Sequence, residues 1–262
     1  MTTIKLRGHL TWAKLPVRGR AAVILLHGGM SSSRSMLHSI GPGLSASFNV
    51  GAFDRRGHGR TADTDEPFTY EDMADETIAF IELLDRRVHL VGHSDGANIA
   101  LLVALRRPDL LKRIVVIGAN YHYEGLVDFP LLQPEDPGFE DWAIKYAAHA
   151  PEGIGHAAAV LAKTNEMFRS GPTMKPEDLR AIEVPVLVMA GDDDVATLEH
   201  TTTLYESIPV AQLAILPGTS HAVLKERTKD CVHFIKRFLR QKLPVVTYSP
   251  IRRASEGEFP GD

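Results

Sequence analysis

The sequence predicts an α/β fold, a mostly parallel sheet covered by helices on both faces. Three observations carry that expectation. Short apolar runs at 21–26, 88–91, 113–118 and 184–190 have the length and composition of strands buried on both sides. Segments with helical periodicity separate them, the alternation of α/β proteins. One apolar run passes straight into a helical one through Gly92-His93-Ser94-Asp95-Gly96, a G-x-S-x-G turn in the strand–turn–helix context that gives the pattern meaning.

Taken in order, residues 4–14 alternate weakly around Arg7-Gly8 and read as a hairpin at a sheet edge. The run 21–26 reads as a central strand and ends in His27-Gly28-Gly29-Met30, where two glycines let the backbone approach a neighbour closely. A helix is expected over 35–44, interrupted near Gly41-Pro42, and a strand over 48–53. The polar loop Asp54-Arg55-Arg56-Gly57-His58-Gly59-Arg60-Thr61 lacks the G-K-[ST] ending of a phosphate cradle. It reads as structural, with Asp54 and Arg55 tying it down. Thr69 and Asp72 fit a capping box, and Met73, Thr77, Phe80, Ile81 and Leu84 then mark one helical face.

The turn at Ser94 needs particular residues. A strand that bends directly into a helix leaves its apex residue in a strained conformation of positive φ. Glycines 92 and 96 remove the Cβ atoms that would collide there. The following helix presents free N–H groups and the positive end of its dipole. Pro108-Asp109 ends that helical run, and 113–118 is the next strand.

From Tyr121 to Pro176 the pattern changes. Pro and Gly punctuate the segment, and helix-like pieces at 140–149 and 156–168 lie between them, as in an inserted helical cap. Its aromatic and Met residues, Tyr121 and Trp142 among them, are candidates for lining a pocket. Strand pattern resumes at 184–190 and ends at Gly191-Asp192-Asp193-Asp194. A helix at 197–207, a strand at 212–216, the turn Pro217-Gly218-Thr219-Ser220-His221 and a last helix from about Ala222 or Arg227 to Lys242 follow. Residues 244–262 are polar, rich in Pro and Gly and without periodicity, as in a loosely docked tail. The expected division is a core of 1–120 and 177–243, a cap of 121–176 and a tail of 244–262.

Bulk properties narrow the function. The 262 residues are 44% hydrophobic and 24% charged with a formal net charge of −4, an ordinary globular composition without the basic surface of a nucleic-acid partner. Cys231 is the single cysteine, so no internal disulfide forms; a reducing, cytoplasmic location is expected. Residues 1–5 carry no apolar signal segment, and no run is long enough to span a membrane. The twelve His residues form no ligand pattern such as H-E-x-x-H, so neither metal nor cofactor is expected. The expected partner is a small-molecule substrate. The sequence does not set the oligomeric state; a homodimer is one candidate.

The polar features at the strand ends, His27-Gly28-Gly29, Ser94, Asp192 to Asp194 and His221, occur in the order nucleophile, acid, histidine. Together with the Asp54–Gly59 loop, the combination resembles the α/β-hydrolase family over nearly the whole chain to about residue 243. The resemblance implies an α/β-hydrolase fold with a helical cap and a catalytic triad: Ser94 as nucleophile, His221 as its base, and a carboxylate orienting the imidazole. Three consecutive aspartates compete for that last role, and the family's usual spacing after the glycine selects Asp194. The oxyanion hole would use backbone N–H groups of Asp95 and Gly29, with Met30 as the alternative. Met30, Asp95, Tyr121 and Trp142 are candidate substrate contacts. The elbow is similar to that of valacyclovirase-like hydrolases, in which the acidic side chain engages an amino group; Asp95 would then favour cationic substrates, or else stiffen the elbow by a hydrogen bond.

The implied activity is that of a cofactor-free serine hydrolase, carboxylesterase-like, acting on a small ester, lactone, thioester or amide. C–C bond hydrolysis or perhydrolase (haloperoxidase-like) chemistry on the same fold, and a non-catalytic binding protein, are the competing readings. Epoxide hydrolases and haloalkane dehalogenases are excluded, because those relatives place Asp where Ser94 stands.

Overall fold

The computed structural model describes residues 2–17 and 19–243; the expected tail of 244–262 lies outside them. In chain order the elements are β1 (Thr2–Leu6), β2 (His9–Lys14), β3 (Ala22–Leu26), α1 (Ser33–Ser39), α2 (Gly41–Ser45), β4 (Asn49–Phe53), α3 (Tyr70–Glu82), β5 (Val88–His93), α4 (Asp95–Arg106) and β6 (Leu111–Ile117). Then come α5 (Gly138–Ala147), α6 (Ala157–Ser170), α7 (Pro176–Leu179), β7 (Val186–Asp193), α8 (Leu198–Ser207), β8 (Ala211–Ser220), α9 (Val223–Glu226) and α10 (Thr228–Arg240).

The strands form one sheet in the order β1-β2-β4-β3-β5-β6-β7-β8. The β1–β2 hairpin joins antiparallel at one edge, and β4 through β8 run parallel. The carboxyl ends of β3, β5, β6, β7 and β8 therefore lie along one edge, where ligands bind in open parallel sheets.

Strand alternation divides the core in two. Ile24, Leu90, Val116 and Val188 face the layer of α3 and α4, while Val23, Val91, Val115 and Met189 face α1 and α10. This two-sided burial is why the central strands read as continuous apolar runs. On α10, Cys231, Ile235, Phe238 and Leu239 are buried, the i, i+4, i+7, i+8 stripe of a helix with one face on a core. The α4 helix is buried from Asp95 to Ala104, so it needs no polar face.

Two boundaries differ from the sequence expectation. β7 runs on to Asp193 and β8 to Ser220, because Asp193 pairs with Ser220 beyond a register shift after Gly191. Tertiary pairing overrides the turn-forming tendency of Asp and Pro-Gly. Of the two starts expected for the last helix, Arg227 matches α10; the Ala222 start corresponds to a separate short helix, α9, with Arg227 at φ −127°, outside helical geometry, between them. The 121–176 segment leaves β6 and is pinned where it starts and ends by the His122–Thr173 bridge; α5 and α6 lie within it.

Burial of histidines makes the fold acid-sensitive. His27, His58 and His89 are 0%, 3% and 5% exposed. Burial, aided at His27 and His58 by the Arg55 guanidinium, disfavours the imidazolium: His27 is held well below 6.5, His58 at about 3 and His89 at about 4. The unfolded chain binds these protons near pH 6.5 and the folded one does not. Stability is then full above pH 6.5 and falls as pH drops toward 4, by about 1.4 kcal/mol per pH unit per histidine. The expected urea-unfolding midpoint decreases steadily from pH 7 to pH 5; a flat profile would contradict neutral burial.

Candidate active site

The elbow is built by β5 and α4. Ser94 sits between them at φ 54° and ψ −123°, a conformation that costs on the order of 1–3 kcal/mol and persists only when its surroundings hold it. They do: Ser94 N donates to Ile117 O at 2.8 Å, and its carbonyl accepts from Ala97 N at 2.7 Å. A Cβ on Gly92 would lie 2.1 Å from Gly96 O, and one on Gly96 would lie 2.1 Å from Leu26 O, so both positions require glycine. Behind the elbow, Asn98 and Asn120 exchange two 2.9 Å hydrogen bonds that tie α4 to the end of β6.

Ser94 lines a cleft of about 560 Å³ with Gly28, Gly29, Met36, His221 and Leu224. Facing the same cleft, His221 Nδ1 is 2.5 Å from Asp194 Oδ1. The Asp194 side chain is 1% exposed and that of His221 29%. Burial alone would raise the Asp194 carboxyl, but the His221 hydrogen bond and charge, with the N–H groups of Val195 and Ala196, hold it below the ordinary carboxylate value. Asp192 instead accepts from Thr219 N at 3.0 Å, and Asp193 is exposed in the β7–β8 ladder. Of the three aspartates, Asp194 is the one that reaches His221.

The His221 turn is fixed from two sides. Ser220 N and Oγ both donate to Glu226 at 2.8 Å. His93, the residue before Ser94, donates from Nε2 to His221 O at 2.9 Å, so the elbow and the histidine turn are joined directly. No hydrogen bond links the Ser94 hydroxyl to His221 among the described residues.

Gly118, which sequence reasoning did not single out, makes room for the pair. It has φ 60°, and a Cβ there would lie 3.0 Å from the His221 ring and 3.2 Å from Asp194 Oδ2. Gly118→Ala is expected to cost about 1–2 kcal/mol of stability from backbone strain and on the order of 10²-fold in kcat from the displaced imidazole. Melting curves and ester kinetics on the same preparation separate the two; a kcat change no larger than the stability loss accounts for would remove this role. The signal in the sequence was a glycine directly after a buried strand.

Under the Gly28-Gly29 loop lies a buried arginine. Arg55 is 1% exposed and donates from Nη1 to His27 O at 2.5 Å and from Nη2 to Gly28 O at 3.1 Å. In a trans peptide C=O and N–H point in opposite directions, so turning Gly28 O toward Arg55 turns Gly29 N–H away from it. Among the described residues, neither Gly29 N–H nor Asp95 N–H, the first of α4, has a hydrogen-bond partner. Glycines keep this loop close against the elbow: a Cβ on Gly28 would lie 3.2 Å from Ser94 Cβ, a tight contact, and one on Gly29 would lie 2.4 Å from Asp95 Oδ2 and 2.7 Å from Phe168 Cζ. Asp54 ties the neighbouring loop as expected, accepting from Ser33 N and Arg60 N.

The candidate substrate contacts are scattered. The Asp95 side chain is 2% exposed, accepts from Tyr70 OH at 2.9 Å and does not line the cleft. Burial raises its pKa, and the contacts match a stiffened elbow rather than a site for a cationic substrate. Met30, at φ 52°, is not part of the lining of the Ser94 cleft; its carbonyl accepts from Trp142 Nε1 at 3.3 Å, and both residues line a separate chamber. Tyr121 stacks on His200 at 3.8 Å between ring centroids in another groove. It packs into the core cluster that includes residues of α4 and α6 and is not part of the lining of the Ser94 cleft. Among the described residues no group of three His, Cys, Asp or Glu is placed to hold a metal ion, and no helix is long and apolar enough to cross a membrane.

Comparisons with known proteins agree with this architecture. RutD of Caulobacter sp. (strain K31), named "Putative carbamate hydrolase RutD", is 30% identical over 238 residues, covering 75% of this chain and 87% of that one. The 2-hydroxy-6-oxo-6-(2'-aminophenyl)hexa-2,4-dienoic acid hydrolase of Metapseudomonas resinovorans is 26% identical over 248 residues, 85% of each chain. A crystal structure of a serine hydrolase involved in carbazole degradation, the CarC enzyme, superposes with a TM-score of 0.74 at 24% identity, covering 91% of this chain and 97% of that one, a likeness of fold. The family model described as the alpha/beta hydrolase family matches residues 23–234. The chain belongs to the alpha/beta hydrolase family.

Proposed function

We propose that this hydrolase cleaves a small carboxylic ester, or a related lactone, thioester or amide, through an acyl-enzyme on Ser94. The observation that carries the reading is the 2.5 Å Asp194–His221 pair facing the same cleft as the strained Ser94. A serine hydroxyl is a weak nucleophile near neutral pH and needs a base. His221 Nε2 takes the Ser94 proton as Oγ bonds to the carbonyl carbon, while Asp194 holds the proton on Nδ1 and stabilises the imidazolium. The carbonyl oxygen gains the negative charge and is met by Gly29 N–H and Asp95 N–H, worth about 3 kcal/mol per donor in the transition state. Collapse breaks the bond to the leaving group, which receives the proton from His221. Water, deprotonated by the same imidazole, then releases the acid and restores Ser94.

The relatives support two substrate classes, the carbamate of RutD's name and the dienoic acid of the Metapseudomonas enzyme's; the second makes C–C bond hydrolysis the alternative. A panel of p-nitrophenyl acyl esters, an aryl carbamate and a 2-hydroxy-6-oxohexadienoic acid decides between them. Turnover of the acyl compounds is expected. Turnover of the dienoic acid alone would establish the alternative, and turnover of none would leave a binding protein.

A further inference from the structure

The loop that carries Gly29 is gripped from two sides. On the core side Gly28 O accepts from Arg55 Nη2 at 3.1 Å and from His27 Nδ1 at 2.7 Å, which fixes the peptide plane bearing Gly29 N–H. The next residue, Met30, sits at φ 52°. A residue with a Cβ keeps that left-handed conformation only where its surroundings hold it. The inserted 121–176 segment meets it there: the Met30 carbonyl accepts from Trp142 Nε1 on α5 at 3.3 Å. Tyr146 stacks on the indole at 5.6 Å between centroids, with Phe139 at 6.0 Å, so neighbours on the same helix set the direction of that donor. From α6, Phe168 Cζ reaches to 2.7 Å from where a Cβ on Gly29 would stand, and the ring tip packs directly on the glycine.

The same segment is tied to the loop after β4. The Asp63 side chain, 2% exposed, accepts from Lys163 Nζ on α6 at 2.8 Å and from His156 Nε2, just before α6, at 2.9 Å. Its backbone N–H donates to Glu152 Oε1, between α5 and α6, at 2.6 Å. A carboxylate buried among its donors is a firm anchor, because losing it would strand the cations. Arg55 stands earlier in that loop. One loop therefore fixes the glycines from the core side and carries the anchor of the helices that pack on them.

We propose that Trp142 is a positioning residue of the oxyanion hole, and that docking of α5 and α6 and the aiming of Gly29 N–H are one event. This rests on the hydrolytic reading of Ser94 and deepens it: the donor that meets the developing charge is set jointly by the core and the inserted segment. Release of the Met30 carbonyl lets residue 30 return to an ordinary φ, and that rotation re-aims the peptides on either side of it. Gly29, without a Cβ, does not resist the shift. A displaced donor loses most where the negative charge develops, so the loss falls on the transition state rather than on the bound substrate.

Trp142→Phe keeps an aromatic ring and removes the donor. On a short p-nitrophenyl ester its kcat is expected to fall about five- to tenfold, with KM within about twofold of wild type and the melting temperature little changed. A trifluoromethyl ketone, whose adduct places an oxyanion in the hole, is expected to bind more weakly by the same factor. Should Trp142→Phe lose its fold, Phe168→Leu, which withdraws the ring tip from Gly29, takes its place with the same expected loss in kcat. A loss carried by KM would make Trp142 a substrate contact, and a kcat within about twofold of wild type would leave the loop independent of the helices; either overturns the proposal. If the wild type turns over no ester, the hydrolytic reading has failed and hydrogen exchange decides alone. Peptides spanning residues 27–36 are then expected to exchange faster in Trp142→Phe than in the wild type while those of α4 and β6 do not change, and unchanged exchange at 27–36 rejects the hold on the loop.

Discussion

Ser94→Ala is expected to lower kcat toward a good ester substrate by on the order of 10⁶ while the protein stays folded. Alanine has no atom that can form the acyl bond. The residual rate is that of water attack assisted by the two N–H donors and by binding, the part of the machinery that survives loss of a triad member. Stability changes little, because the backbone bonds that hold this strained residue, Ser94 N to Ile117 O and Ala97 N to Ser94 O, do not involve the side chain. The double variant Ser94→Ala/His221→Ala is expected to stay within a few-fold of Ser94→Ala alone, since in the proposed mechanism every proton the imidazole moves belongs to the acyl-enzyme route that needs the Ser94 hydroxyl. Single-turnover kinetics beside thermal melting checks both statements. An alanine variant retaining a tenth of the activity would show that another group performs the attack.

Asp194→Asn carries the next largest effect, a loss of about 10⁴ in kcat with little loss of fold. An amide can still sit beside His221 Nδ1, but it offers an N–H there and favours the imidazole tautomer with its proton on the wrong nitrogen. The neighbouring aspartates separate from it by mechanism. Asp192→Asn weakens the acceptor for Thr219 N and is expected to lower the melting temperature slightly, with kcat within a few-fold of wild type. Asp193→Asn, on an exposed side chain, should change neither. A four-way comparison of kcat and melting temperature reads the assignment, and equal losses at 192 and 194 would contradict it.

The sequence made parts of this site legible for physical reasons. A chain can turn from a buried strand into a buried helix in one residue only where flanking Cβ atoms are absent, so Gly92 and Gly96 announced the Ser94 turn. Buried parallel strands must be apolar on both faces, so the strand ends, and with them Asp194 and His221, could be placed at one edge of the sheet. Gly28, Gly29 and the tie at Asp54 followed from the same reasoning. What stayed hidden depends on contacts between distant segments. Nothing local says that Gly118 leaves the space His221 occupies, or that Arg55 is buried to hold two carbonyls. Tyr70 looked like the first residue of a capped helix, and its hydroxyl meets Asp95 only after α3 packs on α4. The aromatic residues of 121–176 were candidates to line the pocket. The cleft at Ser94 is instead bordered by α1 and the segment after His221, because a sequence pattern locates strand ends but not the side on which the cleft opens.

The central claim is that Ser94 is an activated nucleophile. Intact-protein mass spectrometry after brief exposure to a fluorophosphonate, followed by peptide mapping, tests it most directly. One adduct per chain, on Ser94 and absent from His221→Ala, is the expected result. A chain that stays unmodified, or an adduct on any other residue, would contradict it.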